Sequence, residues 1–119
     1  MRVLLVMAGA SVGAPLRFLV DRWARDHSPA GTVLGTLVVN VVGSFLLGLL
    51  SGWSARPWWV MPLLGMGFCG ALTTFSTLAL ETWVFYEERR WRPFLANLGL
   101  SLGVGGVAVS LGFWASSAL

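Results

Sequence analysis

The sequence has no lysine, one cysteine, one histidine and five acidic residues among 119 positions, and each shortage closes a class of function. A lone Cys69 cannot form an internal disulfide, a C-x-x-C redox pair or a cysteine-built zinc centre, and His27 adds only one imidazole. Charged residues make up 11% of the chain, where a soluble domain carries about a quarter, so there is too little charge to coat a globule in water. The net charge of +3 comes from eight arginines, yet no basic stripe interleaves with aromatic platforms, and no nucleic-acid partner is expected. Strict alternation of polar and apolar residues, the mark of a barrel strand, is also missing. What is abundant is apolar: 56% hydrophobic residues, 15 glycines and a mean hydropathy of +0.78.

Four apolar runs account for that abundance, at about residues 3–20, 32–52, 58–86 and 94–115. About 20 apolar residues cross the hydrocarbon as a helix, so each run is long enough, the first only just. The reading is a single domain over residues 1–119, an all-α membrane protein of four transmembrane helices. Short polar connections are expected at Asp21–Gly31, Ser54–Pro57 and Glu87–Pro93, with proline near the start of the third and fourth spans, where a missing N–H loses no partner. Met1-Arg2 followed by an apolar run and Ala8-Gly9-Ala10 could pass for a cleaved leader. Only about six apolar residues precede that site, fewer than the 7–15 a leader needs, so a retained first span is the better reading.

Arginines set the expected orientation. Arg2 and Arg56 share one side; Arg22, Arg25, Arg89, Arg90 and Arg92 share the other, and Arg17 lies inside the first span. Loops one and three are therefore expected in the cytoplasm and both termini outside.

Three G-x-x-x-G pairs, Gly9/Gly13, Gly48/Gly52 and Gly99/Gly103, suit close helix packing where lipid gives no hydrophobic drive for association. Buried polar residues are more informative, because each is costly in hydrocarbon without a partner or water. Asn40 sits among valines in the second span, either bonding across helices or lining an anion path. Asn97, Ser101, Gly105, Ala108 and Gly112 form one narrow face of the fourth span, a packing surface or a polar track. In the third span three glycines, at 65, 67 and 70, lead into the hydroxyls of Thr73, Thr74, Ser76 and Thr77. Weak helix formers beside hydroxyls that can satisfy freed backbone groups predict a broken third helix at mid-membrane, a recurrent way to bind ions. Gly65-x-Gly67-x-x-Gly70 also matches a dinucleotide fingerprint, but lies inside an apolar span with no βαβ unit around it. Arg17 either snorkels to the headgroups or places positive charge in a watery mouth. Glu81 pairs with an arginine at the membrane edge or takes a vestibule role.

These motifs resemble those of the CrcB, or Fluc, fluoride channels. Residues 13–18 (GAPLRF) resemble the family's first-helix motif, 35–45 (GTLVVNVVGSF) its second and 67–77 (GFCGALTTFST) its third-helix signature. The resemblance implies a multi-pass protein of the prokaryotic plasma membrane that exports fluoride passively and relieves its toxicity. It also implies an antiparallel, dual-topology dimer with two pores along the interface and a structural sodium ion at the centre, held by the backbone carbonyls of Gly70 and Thr73. The anion pathway falls on Asn40, Thr74, Phe75, Ser101 and Arg17, with Asn97 where a tyrosine is common. Where the family continues with a second phenylalanine, this chain has Leu78, which lacks the positive ring edge an anion can face. The second subunit is the same chain or a paralogue; the arginine imbalance and Leu78 together point toward an oppositely biased paralogue.

No residue set for catalysis or ATP use is visible. A small multidrug antiporter, another short dual-topology protein, needs a carboxylate deep in the first span, and the acids are Asp21, Asp26, Glu81, Glu87 and Glu88. A non-transporting assembly subunit would account for the glycine faces but not for hydroxyls at mid-membrane.

Overall fold

The computed structural model describes residues 1–28 and 31–118 and is all-helical there, with no strand among the described residues. Helix α1 spans Arg2–His27 and α2 Gly31–Gly52. The third crossing is composite. Helix α3 (Met61–Cys69) is wound as a π-helix and closes with an α-helical turn, Gly70–Leu72; Thr73 and Thr74 are extended, and α4 resumes at Phe75–Glu87. Helix α5 spans Trp91–Ser117. Four helical stretches are thus long and apolar enough to cross a membrane. A 27-residue helix is about 40 Å long, more than the roughly 30 Å hydrocarbon core, and the subunit measures 47 × 29 × 23 Å.

Two boundaries differ from the sequence reading. The first connection was expected from Asp21, but α1 continues to His27 because its polar end is self-supporting. Arg25 pairs with Asp21 one turn back, and the His27 ring stacks on Trp23 at 5.1 Å. An apolar run measures the part of a helix that lipid covers, not the helix itself. Pro29 and Ala30 of that expected connection lie outside the described residues. At the other end of the bundle, the connection before α3 extends past Pro57 to Trp59, and Pro62 takes the first-turn position. Pro93 does the same in α5, which starts at Trp91 after a turn in which Arg89 is left-handed at φ 55°.

Glycines decide how the helices meet. A Cβ on Gly9 would lie 1.9 Å from the Leu63 carbonyl oxygen, and one on Gly48 2.2 Å from that of Val109. The backbones of α1 and α3, and of α2 and α5, therefore touch where a side chain would hold them apart. The third pair behaves otherwise: Gly99 and Gly103 have nothing within 4 Å, so their small face is open on this subunit. The fourth-span face buries Asn97, Gly105, Ala108 and Gly112, with Gly112 against the Phe45 carbonyl. From Gly105 downward the packing alternative holds. Helix α4 has no buried residue and touches only α5 and α2 among the described elements.

Tryptophans ring both ends, as interfacial anchors should. Trp23, Trp83 and Trp91 lie at the end carrying the first and third connections, where Tyr86, Trp91 and Phe94 pack ring on ring. Trp53, Trp58, Trp59 and Trp114 lie at the other.

Gly9→Ala forces the α1–α3 backbones apart and is expected to lower stability by about 1–3 kcal/mol or more. Gly103→Ala, facing open space, is expected to be nearly neutral. Thermal unfolding in detergent, followed by tryptophan fluorescence, separates the two; equal melting temperatures would refute the close contact.

Candidate functional site

The site grows from the break in the third crossing. The N–H of Thr73 still donates to the Cys69 carbonyl (3.0 Å), and its hydroxyl donates to the same oxygen at 2.9 Å. One residue later the helix stops, because Thr73 (ψ 158°) and Thr74 (φ −146°, ψ 120°) are extended. The Thr74 N–H, which would have continued the helix by donating to the Gly70 carbonyl, donates instead to Asn40 Oδ1 at 2.8 Å. Asn40 Nδ2 in turn donates to the Thr74 carbonyl at 3.1 Å. One side-chain amide thus takes both backbone groups of the residue at the break, as a neighbouring β-strand would.

Helix α4 then starts properly. Thr74 is its N-cap, its hydroxyl accepting from the Thr77 N–H at 3.2 Å and lying 3.1 Å from the Thr77 hydroxyl and 3.3 Å from that of Ser76. The N–H groups of Phe75 and Ser76 have no intrahelical acceptor by the geometry of a first turn. Gly43, one turn past Asn40 on α2, lets Thr73 close in: a Cβ there would lie 2.2 Å from Thr73 Cγ2.

The expected site residues converge. Asn40, Gly70, Thr73, Thr74, Phe75, Leu78 and Ser101 all line one cavity of about 320 Å³ at the break, and this is the geometry on which the functional reading turns. Ser101 brings a buried hydroxyl with no hydrogen-bond partner among the described residues. Phe75 is 82% exposed, its ring pointing off the subunit. Leu78 lies between this cavity and an apolar groove of about 640 Å³ that runs between α4 and α5 past Thr82, Trp83 and Phe94. Arg17 lines a second cavity of about 180 Å³, with Asp21, Thr36 and Thr77, on the α1 side of the break. Thr74 borders both. Arg17 Nη1 reaches inward to the Thr73 carbonyl at 3.4 Å rather than out to the headgroups.

Among the described residues no cluster of His, Cys, Asp and Glu could hold a metal, which leaves backbone, hydroxyl and amide oxygens as the possible ligands of a cation. A hard cation such as sodium suits that chemistry. The Gly70 carbonyl fits, since its helical donor is diverted to Asn40. The Thr73 carbonyl fits once its long Arg17 contact is given up.

Sequence reasoning missed the Thr36–Glu81 pair. The Thr36 hydroxyl donates to Glu81 Oε1 at 2.9 Å, leaving Oε2 buried and unpartnered, so Glu81 pairs with a threonine and not with an arginine. A signal existed, since Thr36, Asn40 and Gly43 recur at helical spacing on α2. Asn97 is buried and donates to Thr82 Oγ1 at 3.2 Å, a link between α5 and α4 outside the cavity lining. Asp21 and Asp26 lie in the last two turns of α1, away from its middle.

Residues 4–113 match the family model described as CrcB-like protein, Camphor Resistance (CrcB). A protein of Nocardia farcinica named fluoride-specific ion channel FluC 1 is 44% identical over 116 residues, covering 94% of this chain and 81% of its own. One of the same name from Streptomyces avermitilis is 42% identical, covering 100% of this chain and 98% of its own. A third, from Geobacillus kaustophilus, is 43% identical over 92% and 93%.

Removing the Asn40 amide should loosen the break specifically. Asn40→Ala leaves two backbone groups of Thr74 unpaired, at about 1–3 kcal/mol each. Amide hydrogen exchange at Thr74 is expected to accelerate at least tenfold, roughly what 1.4 kcal/mol gives, with the ends of α5 unchanged. Unaltered protection at Thr74 would remove Asn40 from the role.

Proposed function

The chain belongs to the CrcB-like family, and from that premise we propose that it is a passive fluoride channel, working as one half of an antiparallel dimer in the plasma membrane. The observation that carries the reading is the cavity at the break, which amide, hydroxyl and phenyl side chains line together. Fluoride is small and strongly hydrated, so moving it through low dielectric requires groups that replace its water, not merely a wide hole.

Those groups line the two cavities in turn. Arg17 stands at the second cavity, where positive charge concentrates anions. Thr74 borders both cavities and offers its hydroxyl, and Asn40 keeps one N–H free after bonding the Thr74 carbonyl. Ser101 has a hydroxyl without a partner among the described residues, and Phe75 lines the same cavity with an aromatic ring whose edge is positive. The half-helix α4 points its N-terminus, the positive end of its dipole, toward the same place.

Gly70 and Thr73 of both subunits would hold a sodium ion at the dimer centre, where its charge would tie the two breaks together. Export follows from proton chemistry outside the protein: fluoride enters a cell as the neutral acid, ionises at internal pH and leaves down its own gradient. No energy source and no covalent step is required.

The direct test is efflux from vesicles containing antiparallel dimers, with fluoride and chloride compared; chloride passing as readily as fluoride would overturn the selectivity. Asn40→Asp exchanges a donor for a negative charge in the path. It is expected to reduce fluoride efflux to that of empty vesicles while the dimer still elutes as a dimer, and undiminished efflux would take Asn40 out of the path. Assembly in sodium-free medium is expected to yield little conducting dimer, whereas full conduction after complete sodium removal would overturn the sodium role.

A further inference from the structure

We propose that Arg25 is a positioning residue for the anion path: by holding the Asp21 carboxylate near the end of α1, it keeps Asp21 from neutralising Arg17 in the second cavity. The inference rests on the channel reading and adds to it a pair of residues that lies outside the break.

Arg17, Asp21 and Arg25 follow one another at intervals of four on α1, so each side chain neighbours the next on one helix face. Asp21 therefore stands between two guanidinium groups and can pair with either. In the structure its ion pair is with Arg25. Direction accounts for the choice, since on a helix an acid one turn before a base pairs better than an acid one turn after it. Arg17 keeps a single hydrogen bond among the described residues, the 3.4 Å contact with the Thr73 carbonyl, and has no acid partner there.

The second cavity makes that choice consequential. Arg17 and Asp21 line it together, and among the described residues no other ionisable side chain does. Glu81 is outside the lining, its carboxylate accepting from the Thr36 hydroxyl. Asp21 is packed against α2 at Gly35, where a Cβ would lie 3.1 Å from Oδ1, so the carboxylate stands at the cavity wall. Drawn to Arg25, it leaves an uncompensated guanidinium on the approach to Thr74, which borders both cavities. Turned to Arg17, it would cancel the charge that concentrates anions. The Asp21 and Arg25 side chains are 25% and 55% exposed, a wet pair of the kind that salt loosens.

The test is a double-mutant cycle read by fluoride efflux from vesicles containing antiparallel dimers, with valinomycin carrying the balancing potassium. At about 10 mM salt, where charges act over ~30 Å, Arg25→Gln is expected to slow efflux and Arg25→Lys, which keeps the pair, to restore it. The expected slowing is about threefold or more, what one charge ~6 Å away supplies in water. In a chain bearing Asp21→Asn there is no carboxylate to release, and adding Arg25→Gln is expected to cost nothing. Near 1 M salt, where charges act over only about 3 Å, the Arg25→Gln and wild-type rates are expected to converge.

Equal rates for Arg25→Gln and wild type at low salt overturn the proposal. So does the same slowing with Asp21→Asn present, which would mean that Arg25 acts by its own charge, or slowing that persists at high salt, which would mean a folding defect. If wild-type vesicles retain their fluoride at both salt concentrations, the channel reading itself fails and the role of Arg25 with it.

Discussion

A helix that stops inside hydrocarbon releases backbone groups that lipid cannot satisfy, and here one residue, Asn40, receives both of those of Thr74. Much of the subunit serves that contact. Asn40 is useful only if α2 stands at hydrogen-bonding distance from Thr74, and Gly43 permits that approach. Helix α2 is held in turn by α5, backbone against backbone at Gly48 and Gly112, while α1 presses on α3 through Gly9. The glycine contacts and the amide pair are therefore one arrangement: without close packing the break would be unsupported, and without the break the packing would enclose an inert bundle.

The same interruption creates groups of both signs at one depth. The segment before it ends in carbonyl oxygens, of which that of Gly70 has lost its helical donor to Asn40. The segment after it begins with N–H groups, of which those of Phe75 and Ser76 have no acceptor within α4. A cation suits the first set and an anion the second. A carboxylate or an ammonium placed there would attract one ion and repel the other, besides being costly to bury. Backbone dipoles serve both without net charge, which accounts for a site assembled from glycine, threonine and an amide.

Much of this was legible in the residues because membrane insertion leaves few alternatives. Long apolar runs must be helices, and glycines followed by hydroxyls must mark a weak point. The exact break was not legible. Glycines leading into four hydroxyls predicted a break at mid-membrane without fixing its residues; residues 61–69 stay wound as a π-helix and Thr73 and Thr74 are extended, where Asn40 accepts the chain. Thr36 and Glu81 are 45 positions apart, and only packing brings them together. The far end of α1 was missed for a different reason: the Asp21–Arg25 pair and the Trp23–His27 stack sustain a helix beyond its apolar stretch. Gly99 and Gly103 show the converse. Their spacing permits a helix contact, but whether a partner arrives is not a property of one chain.

Incompleteness on that side follows from the solvent. In water, the groove between α4 and α5 and the exposed Phe75 would be a hazard, since apolar surface drives association by itself. In lipid they carry no such drive, because hydrocarbon tails cover apolar surface as well as a protein does. What selects a partner must then be shape, polar groups left without bonds, and the direction in which the partner lies. The first two reside at the break, in Ser101 and in the donors around Thr74. The positive-inside rule ties the third to arginines at the helix ends, none of which lines either cavity. The groups at the break and the charges at the helix ends are thus separate residues, so either set can change while the other is kept.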